Sequence, residues 1–124
     1  MKPKYYYCNT YRQRFYFFIG TKPEAVVEFA KKRFSVDLEF DFDGLGGVCF
    51  TVSAPRGNAI LIWTYHKKND PKGYADLAHE CLHAVNHTLK TRGVDSSYDN
   101  DEPQTYLLSE LIEQALGLTK KPKA

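Results

Sequence analysis

The sequence predicts an α+β domain in which helices cover one face of a small, mainly antiparallel sheet. Three observations carry this. Short apolar or alternating stretches bounded by Gly, Pro, Asn and Asp occupy residues 5–19, 36–43, 48–52 and 59–65. Three other segments combine a helical apolar period with start and stop residues. Strand, helix, sheet, helix, loop and helix follow in that order, which segregates helices from strands rather than alternating them. At 124 residues, 43% of them apolar and 26% charged, the chain suits one domain that buries its core without staples. That domain is read as residues 1–118, with 119–124 as a flexible basic tail.

Residues 5–19 are rich in Tyr and Phe and read as one strand, or as two with a break near Asn9 and Thr10. A first helix starts at Thr21-Lys22-Pro23-Glu24, where Thr21 can cap it and Glu24 completes a capping box. It ends near Phe34 and Ser35. In residues 36–43, Val36, Leu38, Phe40 and Phe42 alternate with Asp37, Glu39, Asp41 and Asp43, the pattern of a strand with one wet face. The acidic run lacks calcium-loop spacing. Gly44, Gly46 and Gly47 make a turn without the spacing of a phosphate cradle. Residues 48–52 and 59–65 form a hairpin across Ala54-Pro55-Arg56-Gly57-Asn58, and the unbroken apolar run 59–63 predicts a strand covered on both faces. A second helix spans residues 73–92 and closes at Gly93. A third opens at Asp101, with Gln104 as capping-box partner, buries Leu108, Leu111, Ile112 and Ala115, and stops at Gly117.

Charge and cysteines narrow the function classes. Seventeen basic against fifteen acidic residues leave +2, too near balance to argue for nucleic acid or membrane. Aromatic residues reach 15% and crowd the N-terminal third, but no basic groove accompanies them as a stacking platform for single strands would need. Cys8, Cys49 and Cys81 are an odd number without close pairing, which points to a reducing compartment. No stretch is long enough for a signal-peptide core or a membrane span, so the expected location is the cytoplasm.

The chemistry concentrates in the second helix, at His79-Glu80-Cys81-Leu82-His83, an H-E-x-x-H sequence. Histidines four apart lie one turn above each other and can share a Zn²⁺ at about 2.0–2.1 Å. Glu80 can then take a proton from metal-bound water. Wound at about 100° per residue, Asp76, His79, Glu80, His83, Asn86, His87 and Lys90 fall in one arc of roughly 120°. Tyr74, Leu77, Ala78, Cys81, Leu82, Ala84, Val85, Thr88 and Leu89 make up the side to be buried, so Cys81 reads as packing. An ordinary wet helix face carries Lys, Glu, Gln and Arg rather than His, Asn and Asp. His87 lies about 12 Å along the axis from His79, too far to share its ion, and reads as a substrate-contacting or surface residue. His66 has no partner in sequence and reads as an ordinary surface histidine.

Two histidines do not make a structural zinc site, whereas two His and one Glu form a catalytic set that keeps a position for water. A carboxylate is then expected from the last helix or the loop before it, from among Asp95, Asp99, Asp101, Glu102, Glu110 and Glu113. Asp101 is better used as a cap. Glu102 is preferred because the first helical turn favours an ionised carboxylate.

HECLHAVNH followed by GVDSSYDNDEPQTYLLSEL resembles the gluzincin type of zincin, in particular small zincin-like proteins of phages and mobile elements and the peptidase core of the ImmA/IrrE family. The resemblance covers residues 60–116 and departs at Gln104-Thr105-Tyr106. It implies a minimal zincin-like fold with the motif on a central helix. It also implies a Zn²⁺ held by His79, His83 and Glu102, with Glu80 as general base and His87, Tyr98 or Tyr106 near the transition state or behind the ligands. The expected activity is a zinc metallopeptidase acting on a peptide or protein substrate, in a host cytoplasm if phage-encoded. The alternative is a phage-type accessory protein that binds a host protein on the same scaffold without hydrolysis.

Overall fold

A computed structural model describes residues 2–53, 58–67 and 69–118. The aromatic N-terminal segment forms an antiparallel pair, β1 (Lys4–Cys8) and β2 (Gln13–Ile19), broken after Cys8 as Asn9 and Thr10 predict. Arg12 sits in the turn with φ 54°, a region that costs a residue with a Cβ. The turn is held from outside by Arg92, which donates to the carbonyls of Tyr11 at 2.7 Å and Arg12 at 3.0 Å. The chain continues through α1 (Pro23–Phe34), β3 (Gly47–Val52), β4 (Ala59–Thr64), α2 (Pro71–Thr91) and α3 (Glu102–Leu116). The architecture is α+β, with a mixed sheet ordered β1-β2-β4-β3. β2 and β4 run parallel, and the other two pairings are antiparallel.

Helices cover both faces of this sheet, not one as expected. The reason is visible in β2, whose aromatic residues point both ways. Phe15 and Phe17 join Leu77, Cys81, Val85 and Leu111 in a core beneath α2 and α3. Tyr16 and Phe18 join Val26, Ala30, Phe34 and Trp63 in a second core beneath α1. A strand apolar on both sides has no face to give to water, so each side needs a cover. All six residues of β4 are buried between the two cores, as their unbroken apolar run predicts.

Residues 36–42 form no strand. Val36, Leu38 and Phe42 pack on the α1-side core as an extended segment, and the alternating acidic side chains point outward without a ladder. The same alternation serves a chain lying across a sheet as well as one paired at its edge. The expected caps also differ. α1 has Lys22 at its N-cap with no side-chain bond, and the Thr21 hydroxyl is buried without a partner. At α3, Asp101 makes no capping bond. α2 begins two residues early, because Asp70 caps it by accepting from the Lys72 N–H at 3.0 Å. Leu107 rather than Leu108 is fully buried on α3, together with Leu111 and Ala115. The turn residues 54–57, Lys68 and the basic tail 119–124 lie outside the described residues.

Leu111 is fully buried where α3 meets the α2-side core. Leu111→Ala should cost about 2–5 kcal/mol in urea unfolding. A loss within the noise of surface substitutions would show that α3 is not an integral layer.

Candidate functional site

α2 buries Leu77, Cys81, Ala84, Val85 and Leu89 against the sheet and α3, which turns Asp76, His79, Glu80, His83 and His87 toward β3 and its flank. His79 and His83 are exposed, and their Nε2 atoms stand 3.2 Å apart. Glu80 is only 7% exposed, with a carboxylate oxygen 4.0 Å from His79 Nε2. The wet side of α2 is therefore not uniformly wet. Glu80 is covered by β3, while Tyr74 and Leu82, expected inside, are exposed.

Two glycines permit that cover. A Cβ on Gly47 would lie 2.8 Å from Glu80 Cγ and 2.9 Å from the Trp63 carbonyl oxygen. A Cβ on Gly46 would lie 2.6 Å from the Asp76 carboxylate. Both helix carboxylates thus rest against bare backbone at the start of β3, where the sequence alone reads a turn.

The two carboxylates live in different surroundings. Asp76 is paired with His66 Nδ1 at 3.2 Å and with Lys72 Nζ at 3.5 Å. His66 therefore has a partner, contrary to its reading as an ordinary surface residue. Glu80 has no such anchor. Burial pushes its carboxyl above the usual glutamate range, His79 and His83 pull it down when protonated, and Asp76 pushes it up. Cys49 and Cys81 are free thiols beneath Glu80, each pushed up to about 12 by burial.

β3 is an edge strand. Tyr65 N–H donates to the Gly46 carbonyl at 2.8 Å, and the antiparallel alternation from there turns Val48, Phe50 and Val52 toward β4. The N–H and C=O groups of Gly47, Cys49 and Thr51 point outward. They open on a groove whose far wall is α2. One part, of about 460 Å³, lies between Phe40, Cys49 and Thr51 on one side and Glu80, His83 and His87 on the other. A second, of about 380 Å³, adjoins it at Gly47 and Glu80 and reaches His79 and Asp76.

The expected zinc metallopeptidase needs correction. A catalytic zinc needs three protein ligands. Among the described residues, no group of three His, Cys, Asp or Glu side chains could hold a metal ion. Glu102 is exposed in the first turn of α3 and is not gathered with His79 and His83 into such a set. Gln104, expected to complete the cap at Asp101, instead donates to Asn86 Oδ1 at 2.6 Å and ties α3 to α2 beyond the motif. Among the other carboxylates considered, Glu110 accepts from the Tyr6 hydroxyl on β1. Tyr98 and Tyr106 are 96% and 72% exposed, and neither lines the groove. His87 does line it, beside His83. The residues present do not fit a catalytic zinc.

Among the described residues no helix is long and apolar enough to cross a membrane. Compared with protein-family models, with curated proteins and with solved structures, the chain matches none. The resemblance to zincins rests on the motif residues alone.

Gly47→Ala should lower stability by about 1–3 kcal/mol, because neither the Trp63 carbonyl nor buried Glu80 can retreat freely. An unchanged melting temperature would refute the close approach. Glu80→Gln tests the raised carboxyl in metal-free protein. A carboxyl raised on folding favours the fold when protonated, and that contribution is lost as pH rises through its folded value. Glu80→Gln should therefore match the parent at acid pH and exceed it in melting temperature above the ordinary glutamate range near about 4.3. A parent more stable than Glu80→Gln at neutral pH would contradict it.

Proposed function

We propose that this chain is a polypeptide-binding module that takes up an extended segment along the free edge of β3, with the histidine face of α2 as the opposite wall. It shares with the non-hydrolytic alternative raised by the sequence, a phage-type accessory protein that binds a host protein, only that it acts by holding another polypeptide. The observation that carries it is the outward row of backbone donors and acceptors at Gly47, Cys49 and Thr51, opening directly on the groove. An added strand pairs with such an edge through its main chain, while the walls sort its side chains. Buried Glu80, whose only contact of opposite charge among the described residues is His79 at 4.0 Å, supplies an acceptor for an N–H of that segment, which would repay the cost of its burial.

The His79 and His83 pair supports a second element of the proposal. Two ligands at about 2.05 Å on a tetrahedral ion stand about 3.3 Å apart, and the two Nε2 atoms are at 3.2 Å. The pair can clasp one Zn²⁺ by two positions, leaving the others to water or to a donor on the bound segment. A Zn²⁺ held there by His79 and His83 would supply adhesion between the two chains.

Thr51 is exposed and its N–H points away from β4, so Thr51→Pro removes an edge donor without breaking the ladder. A fluorescent test peptide of alternating threonine and valine should bind the parent and Thr51→Val alike, and Thr51→Pro at least about tenfold more weakly. Equal binding by all three, with equal melting temperatures, would remove β3 as the docking edge. In a zinc titration by calorimetry, His83→Ala should abolish uptake and Glu102→Ala should change it by less than about twofold. Loss of uptake in Glu102→Ala would reject the two-histidine clasp.

A further inference from the structure

The groove makes no use of the aromatic N-terminal strand. Residues directly opposite in an antiparallel pair share a face of the sheet. Tyr5 and Tyr7 of β1 therefore lie on the same side as their partners Tyr16 and Arg14. That is the side α1 covers, and the cover stops at Tyr16, over which Phe29 and Phe34 close with ring centroids 4.9 and 6.0 Å away. Beyond it Tyr5 is 50% and Tyr7 40% exposed. Tyr5 leans on Tyr16 at 4.8 Å, and among the described residues no ring packs on Tyr7.

In sequence no basic groove accompanies these rings, but the fold brings cations to them. Arg14 on β2 and Arg33 in the last turn of α1 both stand over the Phe34 ring, 5.8 and 5.6 Å from its centroid. Both reach the open tyrosines. Burial pushes the Tyr5 hydroxyl up, and Arg14 and Arg33 are the charged groups that pull it back down. Among the described residues Arg33 forms no ion pair, whereas its neighbour Lys31 is held by Asp37 at 2.8 Å.

We infer that this face is a landing surface for single-stranded nucleic acid, with bases laid on Tyr5 and Tyr7 and backbone phosphates drawn to Arg14 and Arg33. Side chains two residues apart on a strand stand about 6.8 Å apart, so successive bases of an extended strand can each take one ring. Every base has a π-face, and aromatic residues on a sheet with cations beside them hold unpaired bases with little choice of sequence. A duplex keeps those faces stacked inside. An acidic polypeptide would satisfy the arginines but has no use for two open rings. β1 and β3 form opposite edges of the sheet, so this surface is separate from the groove and stands or falls apart from it.

The probe is a short fluorescent oligothymidylate, followed by anisotropy with the full chain. It should bind at low salt and weaken as salt rises, and a duplex of the same length should bind more weakly. Tyr7→Thr keeps a strand-forming residue and removes the ring. It should bind at least about fivefold more weakly, while Tyr7→Phe binds as the parent does. Arg33→Gln should reduce the slope of log affinity against log salt by about 0.7, the loss of one phosphate contact. Thr51→Pro, altered at the far edge, should bind the oligonucleotide like the parent. Should Tyr7→Thr melt below the parent, the Arg33→Gln slope decides alone. No binding at low salt, equal binding by a stably folded Tyr7→Thr, equal affinity for the duplex, or an unchanged slope in Arg33→Gln each overturns the assignment. Loss of oligonucleotide binding in Thr51→Pro overturns it too, by moving the site to the groove.

Discussion

The close approach of a helix to bare backbone is the constraint on which the site depends. α2 brings Asp76 and Glu80 to the start of β3, and there is room for them because residues 46 and 47 have no side chains. Any Cβ at residue 47 would have to displace Glu80 or the Trp63 carbonyl, and the second belongs to the fully buried central strand. Through that contact the edge of the sheet and the polar face of the helix become two walls of one groove. The depth at which Glu80 is buried follows from the same contact, as does the difference between its carboxyl, 4.0 Å from one exposed histidine, and the more closely paired Asp76.

Much of the fold was legible because its signals are local. The break in the aromatic strand pair, the start of α1 at Pro23, the stops at Gly93 and Gly117 and the hairpin of β3 with β4 all follow from residues within a few positions of each feature. What escaped was set by distant partners. Alternation in residues 36–42 records one buried and one wet side, and an extended segment on a sheet face satisfies it as well as a ladder does. The two-sided cover of the sheet is written in Phe15, Tyr16, Phe17 and Phe18, four successive aromatic residues that leave β2 no side for water. The parallel pairing of β2 with β4 leaves no local trace at all.

The site divides in the same way. Spacing alone placed His79 and His83 on one turn of helix, and their ring nitrogens do converge. A third ligand is a tertiary fact, decided by how α3 leans on α2 through Leu107, Leu111 and Ala115, with the bond from Gln104 to Asn86 at the rim of that contact. His66 and Asp76 lie ten residues apart across a helix start, and nothing in either neighbourhood announces their pairing. Gly46 and Gly47, at the head of β3, are the signal in the sequence for the groove. Gly-Gly at the head of a strand can mark a close approach as well as a turn, and here the approach is what counts.

The parallel pairing has a kinetic consequence. Residue 14 must find residue 59 before the central strand has its second neighbour, and α1, the extended segment and β3 all lie in the loop that this meeting closes. Loop closure over such a span is an entropic cost met before most of the core exists. The β1–β2 hairpin, with Phe15 to Phe18 in its second strand, is made before β4, α2 and α3, which cover its inner edge and one of its faces. During synthesis it emerges as an adhesive aromatic ribbon, and the speed with which β4 reaches it sets how long that ribbon stays open to other chains.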